Sequence, residues 1–234
     1  MNIPIGSKFS ALSAEERDQV FKELREPFDP EDIDWKPQSV KGDKAVALAF
    51  ADPRVYIDRL NTVVGIGNWN RKFEFIVTPW VKVIKGKAPW GSPEGTPVPP
   101  DKVLNGNKVM CISTVSVLGI EQASTGESDA SDDNAATSSE AQAFKRACIG
   151  FGLGRYLYDL PSFEAPYKYG KFTIKPTLPD WAIPTVYCEQ CTNKVTAIEH
   201  NGTTYAAGWV ATNGRNKYGK TLCATCQKEL AGKK

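Results

Sequence analysis

Six cysteines fall into two kinds by spacing. Cys188-x2-Cys191 and Cys223-x2-Cys226 are two C-x-x-C pairs. Each such turn presents two thiolates to one side of a tetrahedral ion, and two turns complete a shell of four sulfurs. A shell filled by sulfur leaves no open position, so the spacing points to a structural Zn2+ rather than a catalytic one; an iron–sulfur cluster and disulfides are the alternatives. The single histidine, His200, leaves little for a histidine-rich catalytic metal site, and the deaminase H-x-E signature is absent. Cys111 and Cys148 stand alone in apolar patterns and read as core thiols.

The other chemistry-bearing stretch is Thr137–Asp159, TSSEAQAFKRACIGFGLGRYLYD. Thr137 and Glu140 have capping-box spacing, which predicts a helix from that point. With Phe144 set at zero on a helical wheel, Cys148 and Phe151 fall within about 40° and Ala141 within about 60°, forming a core stripe. Gln142, Lys145, Ile149 and Arg146 fall between about 100° and 200°, so the two cations share the outward side. Adjacent cations on one side suit a polyanion; an ordinary solvated face is the plain alternative. Gly150, Gly152 and Gly154 make G-x-G-x-G after a helix, which is not the dinucleotide fingerprint after a strand.

The rest of the chain must position these groups. Its 234 residues allow one good core plus a small module. The net charge of +2 means that any nucleic-acid site must arise from local clustering. No apolar run approaches the roughly 18 residues of a membrane span, and the N-terminal stretch has no apolar h-region. A cytoplasmic protein with reduced thiols and no membrane partner is expected.

Ser13–Arg25 reads as a helix, Pro27–Gln38 as a proline-punctuated connector and Ala45–Phe50 as a buried strand. Asp52-Pro53 opens a helix with Tyr56, Leu60 and Val63 on one face. Trp69–Ile84 and Val109–Ile120 read as partner strands around a Pro/Gly-rich excursion, 85–107. The acidic stretch 121–136 reads as a mobile loop or weak hairpin end. Prolines make 176–184 a linker, separating a core domain over 1–175 from a module over 185–234. In the module, strand-like pieces (194–198 and 203–210) with turns at Asn201-Gly202 and Asn213-Gly214 describe a zinc ribbon. The bound metal would supply much of its folding energy. Its charge is lopsided: Lys194, Arg215, Lys217, Lys220, Lys228, Lys233 and Lys234 face only Glu189, Glu199 and Glu229. The fold class is α+β, an antiparallel sheet with packed helices plus this small four-cysteine zinc ribbon.

AQAFKRACIGFGLGRYLYD resembles the signature segment of the Rad52/Rad22 single-strand annealing proteins. KGDKAVALAFADPRVYIDRLNTVVGIGNWNRKFE (41–74) resembles the family's strand–helix–G-x-x-x-W block, and the bacterial DNA-damage-response branch is the nearest type. Together the matches cover roughly residues 25–160. The resemblance implies an α+β annealing domain that assembles into rings and holds single-stranded DNA in a basic groove without nucleotide hydrolysis. It places Lys145 and Arg146 at the groove-lining basic pair and Lys36 near a further basic position; Lys41 and Arg155 join them as candidate DNA contacts. Two departures thin the site: Ile149 stands where the family continues the charge, and the loop before the helix is acidic. Trp35, Trp69 and Tyr156 are candidate base-stacking rings, with Trp69 favoured as core.

The implied partners are single-stranded DNA, further copies of the chain, and a single-stranded DNA-binding protein or other repair factor, which implies association with the nucleoid. An end-protecting DNA binder without annealing and a zinc-ribbon adaptor are the competing readings. No D-x-D or E-x-K cluster in a strand-end setting supports a nuclease, so a non-enzyme is expected.

Overall fold

The structure, a computed structural model, describes residues 3–91, 93, 95–200 and 202–232. The expected turn residue Asn201 and the cations Lys233 and Lys234 lie outside them. The fold is α+β, and the chain divides into two compact units. One comprises Met1–Ser13 with Val64–Phe151, the other Ala14–Val63 with Gly152–Lys234.

The first unit is built on a three-stranded antiparallel sheet in the order β3-β4-β5, with β3 at Trp69–Ile84, β4 at Lys102–Val117 and β5 at Ile120–Asp129. β3 has the predicted bounds. β4 begins seven residues earlier than predicted, because pairing runs unbroken from Trp69↔Val117 to Ile84↔Lys102. β5 replaces the predicted acidic loop. Leu118 and Gly119, at φ 52° and 82°, make a two-residue turn with both residues left-handed, the geometry that returns a strand directly onto its neighbour.

Helix α3, Ala135–Ile149, lies against β4 and β5. It starts two residues before the predicted capping box, with Asn134 at its N-cap. Its buried residues are Ala135, Ser139, Ala143, Phe144, Ala147 and Cys148, so the core stripe extends through small residues and leaves Ala141 only half-buried. Gly126 of β5 explains the small residues. A Cβ there would stand 2.2 Å from the Ser139 carbonyl oxygen and 2.6 Å from the Ala143 nitrogen. The helix backbone rests directly on the strand, and only glycine permits that approach.

In the second unit, β1 (Ile33–Lys41), β2 (Lys44–Ala51), β6 (Phe163–Lys168) and β7 (Lys171–Phe172) form a sheet in the order β1-β2-β6-β7. Helices α1 (Ala14–Arg25) and α2 (Pro53–Val63) match the predictions, and the Asp52 carboxylate accepts the Arg54 N–H at 2.9 Å. The second half of the connector predicted over 27–38 is strand β1, aligned from Ile33↔Ala51 onward after a short helical turn at Pro30–Asp32. Pro37 is tolerated because β1 is an edge strand and the ladder shifts register between Pro37 and Ser39.

The cysteine-bearing segment carries the hairpin β8 (Ile198–His200) and β9 (Thr203–Tyr205), then helices α4 (Ala207–Tyr218) and α5 (Ala224–Ala231). The strand predicted over 203–210 therefore stops at Tyr205, and Asn213-Gly214 lies within α4 instead of forming a turn. Val210 and Ala211 of α4 join Val195, Leu222, Cys188 and Cys226 in a small core. That burial outweighs the turn propensity of Asn-Gly, and α4 ends instead at Gly219, at φ 70°.

Candidate nucleic-acid interface and metal centre

Lys145 and Arg146 lie near the C-terminal end of α3, Arg146 in its last turn, the first half-buried and the second exposed. Arg146 Nη1 donates to the Thr125 carbonyl of edge strand β5 at 2.9 Å, which orients the guanidinium along the sheet rim. The helix is fixed from below as well. Arg71 of β3 lies 4.9 Å from the Phe144 ring centroid, and its Nη1 stands 2.6 Å from Glu140 Oε1. Ile149, half-buried, is a hydrocarbon and adds no charge to this face.

The lone thiols are inert. Burial pushes the Cys148 thiol up, partly offset by Arg71, and burial followed by Glu140 raises Cys111. Both are fully buried in the first unit, as the sequence predicts for core cysteines.

Lys36, Lys41 and Arg155 belong to the second unit, whereas Lys145 and Arg146 belong to the first. Lys36 pairs with Leu48 and Lys41 with Lys44. Five residues apart, the two lysines would alternate to opposite faces of a regular strand. The register shift between Pro37 and Ser39 brings them to the same face, together with Lys44. Sequence inspection missed Lys44, although the K-G-D-K spacing at 41–44 marks a tight hairpin whose end residues face each other. Lys36 Nζ also lies 5.9 Å over the Phe50 ring.

Arg155 is exposed in the short helical turn Arg155–Tyr158. Tyr156 beside it is buried, and its hydroxyl accepts the Phe28 N–H at 3.1 Å. Burial pushes this phenol up to about 12, with the Phe28 contact and Arg59 opposing. Its ring is a core element, not the base-stacking platform considered from sequence. Trp69 packs 6.4 Å from Phe144, and Trp35 packs edge-on 5.2 Å from Phe163.

The four sulfurs of Cys188, Cys191, Cys223 and Cys226 lie within 4.8 Å of one another and could hold a metal ion. A tetrahedral ion with metal–sulfur bonds of about 2.3 Å needs sulfurs about 3.8 Å apart. Cys191 Sγ and Cys223 Sγ are 3.7 Å apart, too far for a disulfide and right for that shell. The first pair sits on a knuckle closed by Thr192 N–H to Cys188 O and Cys188 N–H to Asn193 O, both 2.8 Å, with Thr192 at φ 60°. The second pair opens α5, with Cys223 as N-cap and Cys226 in the first turn. Burial opposes ionisation of Cys188, but N–H donors from Cys223, Cys191 and Gln190 hold its thiol at about 6. The cluster fits a zinc ribbon.

Comparison with known proteins completes the picture. Two curated relatives are the single-stranded DNA-binding proteins DdrA of Deinococcus radiodurans and Deinococcus deserti. They are 29% and 31% identical over 169 residues, spanning 70% of this chain and 68% and 70% of their own lengths. The Rad52/22 family of double-strand break repair proteins matches residues 16–174, which takes in every candidate DNA contact and stops before the cysteine pairs. On that match and this fold, the chain belongs to the Rad52/22 family.

Proposed function

We propose that the chain binds single-stranded DNA and anneals complementary strands in recombinational repair, without nucleotide hydrolysis, as an oligomeric ring. The observation that carries this reading is the outward basic end of α3. Lys145 and Arg146 share a side, and Arg146 is held at the sheet rim by Thr125. A guanidinium has five donors, so one backbone bond leaves most of them for phosphate. Annealing requires extended strands, screened phosphates and free bases, all of which cations on one face supply without a covalent step. The relatives' description as single-stranded DNA-binding proteins supports the same ligand. Lys36, Lys41 and Arg155 act as further phosphate contacts, and no catalytic residue is invoked.

Self-assembly has its own support. β3 is an edge strand of 16 residues, and its odd positions carry Phe73, Phe75, Val77, Val81 and Val83, all exposed. A long apolar edge strand left in water is a template for pairing with another chain. A second copy is the occupant that builds a ring. Residues 1–175 act as the annealing core, 176–184 as linker and 185–234 as a module stapled by structural zinc. The setting is cytoplasmic, where a single-stranded DNA-binding protein or other repair factor completes the partners.

Purified metal-loaded protein should bind single strands in preference to duplex and speed pairing of complementary oligonucleotides without ATP. Binding without accelerated pairing would favour end protection, and neither activity would sink the reading. Val77→Glu should reduce the oligomeric mass seen by light scattering; an unchanged mass would remove β3 from the assembly.

A further inference from the structure

The outer face of the β1-β2-β6-β7 sheet carries charge that the reading above uses only in part. Strand parity sorts it. Ala45 and Ala47 of β2 and Ala165 of β6 are buried, so Lys44 on β2 and Lys168 on β6 alternate to the opposite, outward face. Lys44 stands directly across from Lys41, and Lys168 directly across from Lys171. The two hairpin ends are neighbours, joined where Tyr167 N–H donates to the Asp43 carbonyl at 2.8 Å.

Two directly opposed lysine pairs destabilise a sheet unless an anion offsets them. The protein supplies half of that offset. Asp43 lies 3.0 Å from Lys168 and Glu164 lies 3.6 Å from Lys44. Among the described residues, no carboxylate forms an ion pair with Lys41 or Lys171.

The connecting turn adds an independent observation. Tyr169 and Gly170, at φ 53° and 77°, form a two-residue turn whose left-handed positions favour Asn, Asp or Gly. An aromatic residue there is unfavourable, and no packing offsets the cost, because Tyr169 is 96% exposed. The neighbouring Tyr167 and Phe172 rings, by contrast, pack on each other at 5.1 Å.

We infer that this end of the sheet is a second contact for single-stranded DNA, in which Tyr169 stacks on an unpaired base and Lys41, Lys44, Lys168 and Lys171 neutralise phosphates. The inference rests on the single-strand-binding reading and adds the β6–β7 hairpin to it. Cations interleaved with an exposed ring are what a sequence-tolerant single-strand site needs.

The test uses the full chain, a dT oligonucleotide and an abasic oligonucleotide of equal length. Tyr169→Asn keeps a residue that suits the turn while deleting the ring, so loss of fold does not confuse the result. It should weaken dT binding about fivefold or more, leave abasic binding and the salt slope unchanged, and be rescued by Tyr169→Trp. Lys41→Gln with Lys171→Gln should instead make the salt slope shallower by about 1.4. If wild-type protein binds dT and Tyr169→Asn binds it equally well, or weakens equally on both oligonucleotides, the stacking site is overturned while single-strand binding stands. A change in oligomeric mass without a change in affinity overturns it too, and assigns the hairpin to a protein interface. If wild-type protein fails to bind dT, the underlying reading falls with it.

Discussion

Replacing Lys145 and Arg146 together by alanine removes both cations from the end of α3. On a single strand, each neutralised phosphate contributes about 0.7 to the slope of log affinity against log salt. Two lost contacts make the slope shallower by about 1.4 per protomer engaged, if each cation meets one phosphate. Between about 50 and 200 mM salt, the variant should then lose about sevenfold less affinity than wild type over the same interval. The Arg146–Thr125 bond is one exposed contact, worth about 1 kcal/mol, and alanine at two helical positions returns a few tenths. Fluorescence anisotropy with a labelled dT oligonucleotide across a salt series measures the slope, and far-UV circular dichroism checks the fold. A slope identical to wild type, with the fold intact, would refute the assignment of Lys145 and Arg146 to phosphate.

Three further outcomes follow from the packing and the metal centre. Gly126→Ala puts a methyl 2.2 Å from the Ser139 carbonyl oxygen, so α3 must lift from β5 at a cost of about 3 kcal/mol; an unchanged urea midpoint would disprove the close approach. Cys188→Ser should abolish stoichiometric zinc in a metal assay and melt α4 and α5 while β3–β5 persist; retained metal would disprove the four-sulfur shell. The buried Cys148 thiol titrates above its ordinary 9.0, so its contribution to stability is complete below that pH and is lost as pH rises beyond it. Each further unit should cost about 1.4 kcal/mol, a slope that Cys148→Ala removes and that a flat urea-midpoint profile in wild type would contradict.

Elements with their own periodicity or capping chemistry were legible before any coordinates. The α1 and α2 helices, the bounds of β3 and the clustering of four cysteines all rest on spacing within one segment. The acidic 121–136 stretch was misleading for a physical reason. β5 meets α3 at Gly126, where the helix backbone lies too close for a larger side chain, and the usual strand alternation of apolar residues is lost. Helix α4 was hidden similarly, since Asn213-Gly214 signals a turn until burial around Leu222 overrides it. Tyr156 looked available to a base by composition, and only its contact with Phe28 places it in the core.

Residue type and spacing alone determined the pairing of the four cysteines, the neighbouring cations on one side of a helix, and the family resemblance. Tertiary structure decided which groups share a face. The register shift at Pro37–Ser39 aligns Lys36, Lys41 and Lys44, the Leu118-Gly119 turn makes an acidic segment into an edge strand, and that edge strand's Thr125 carbonyl orients Arg146. Local sequence encodes φ, ψ and periodicity; which strand lies beside which, and therefore which charges meet, depends on pairing between segments far apart in the chain.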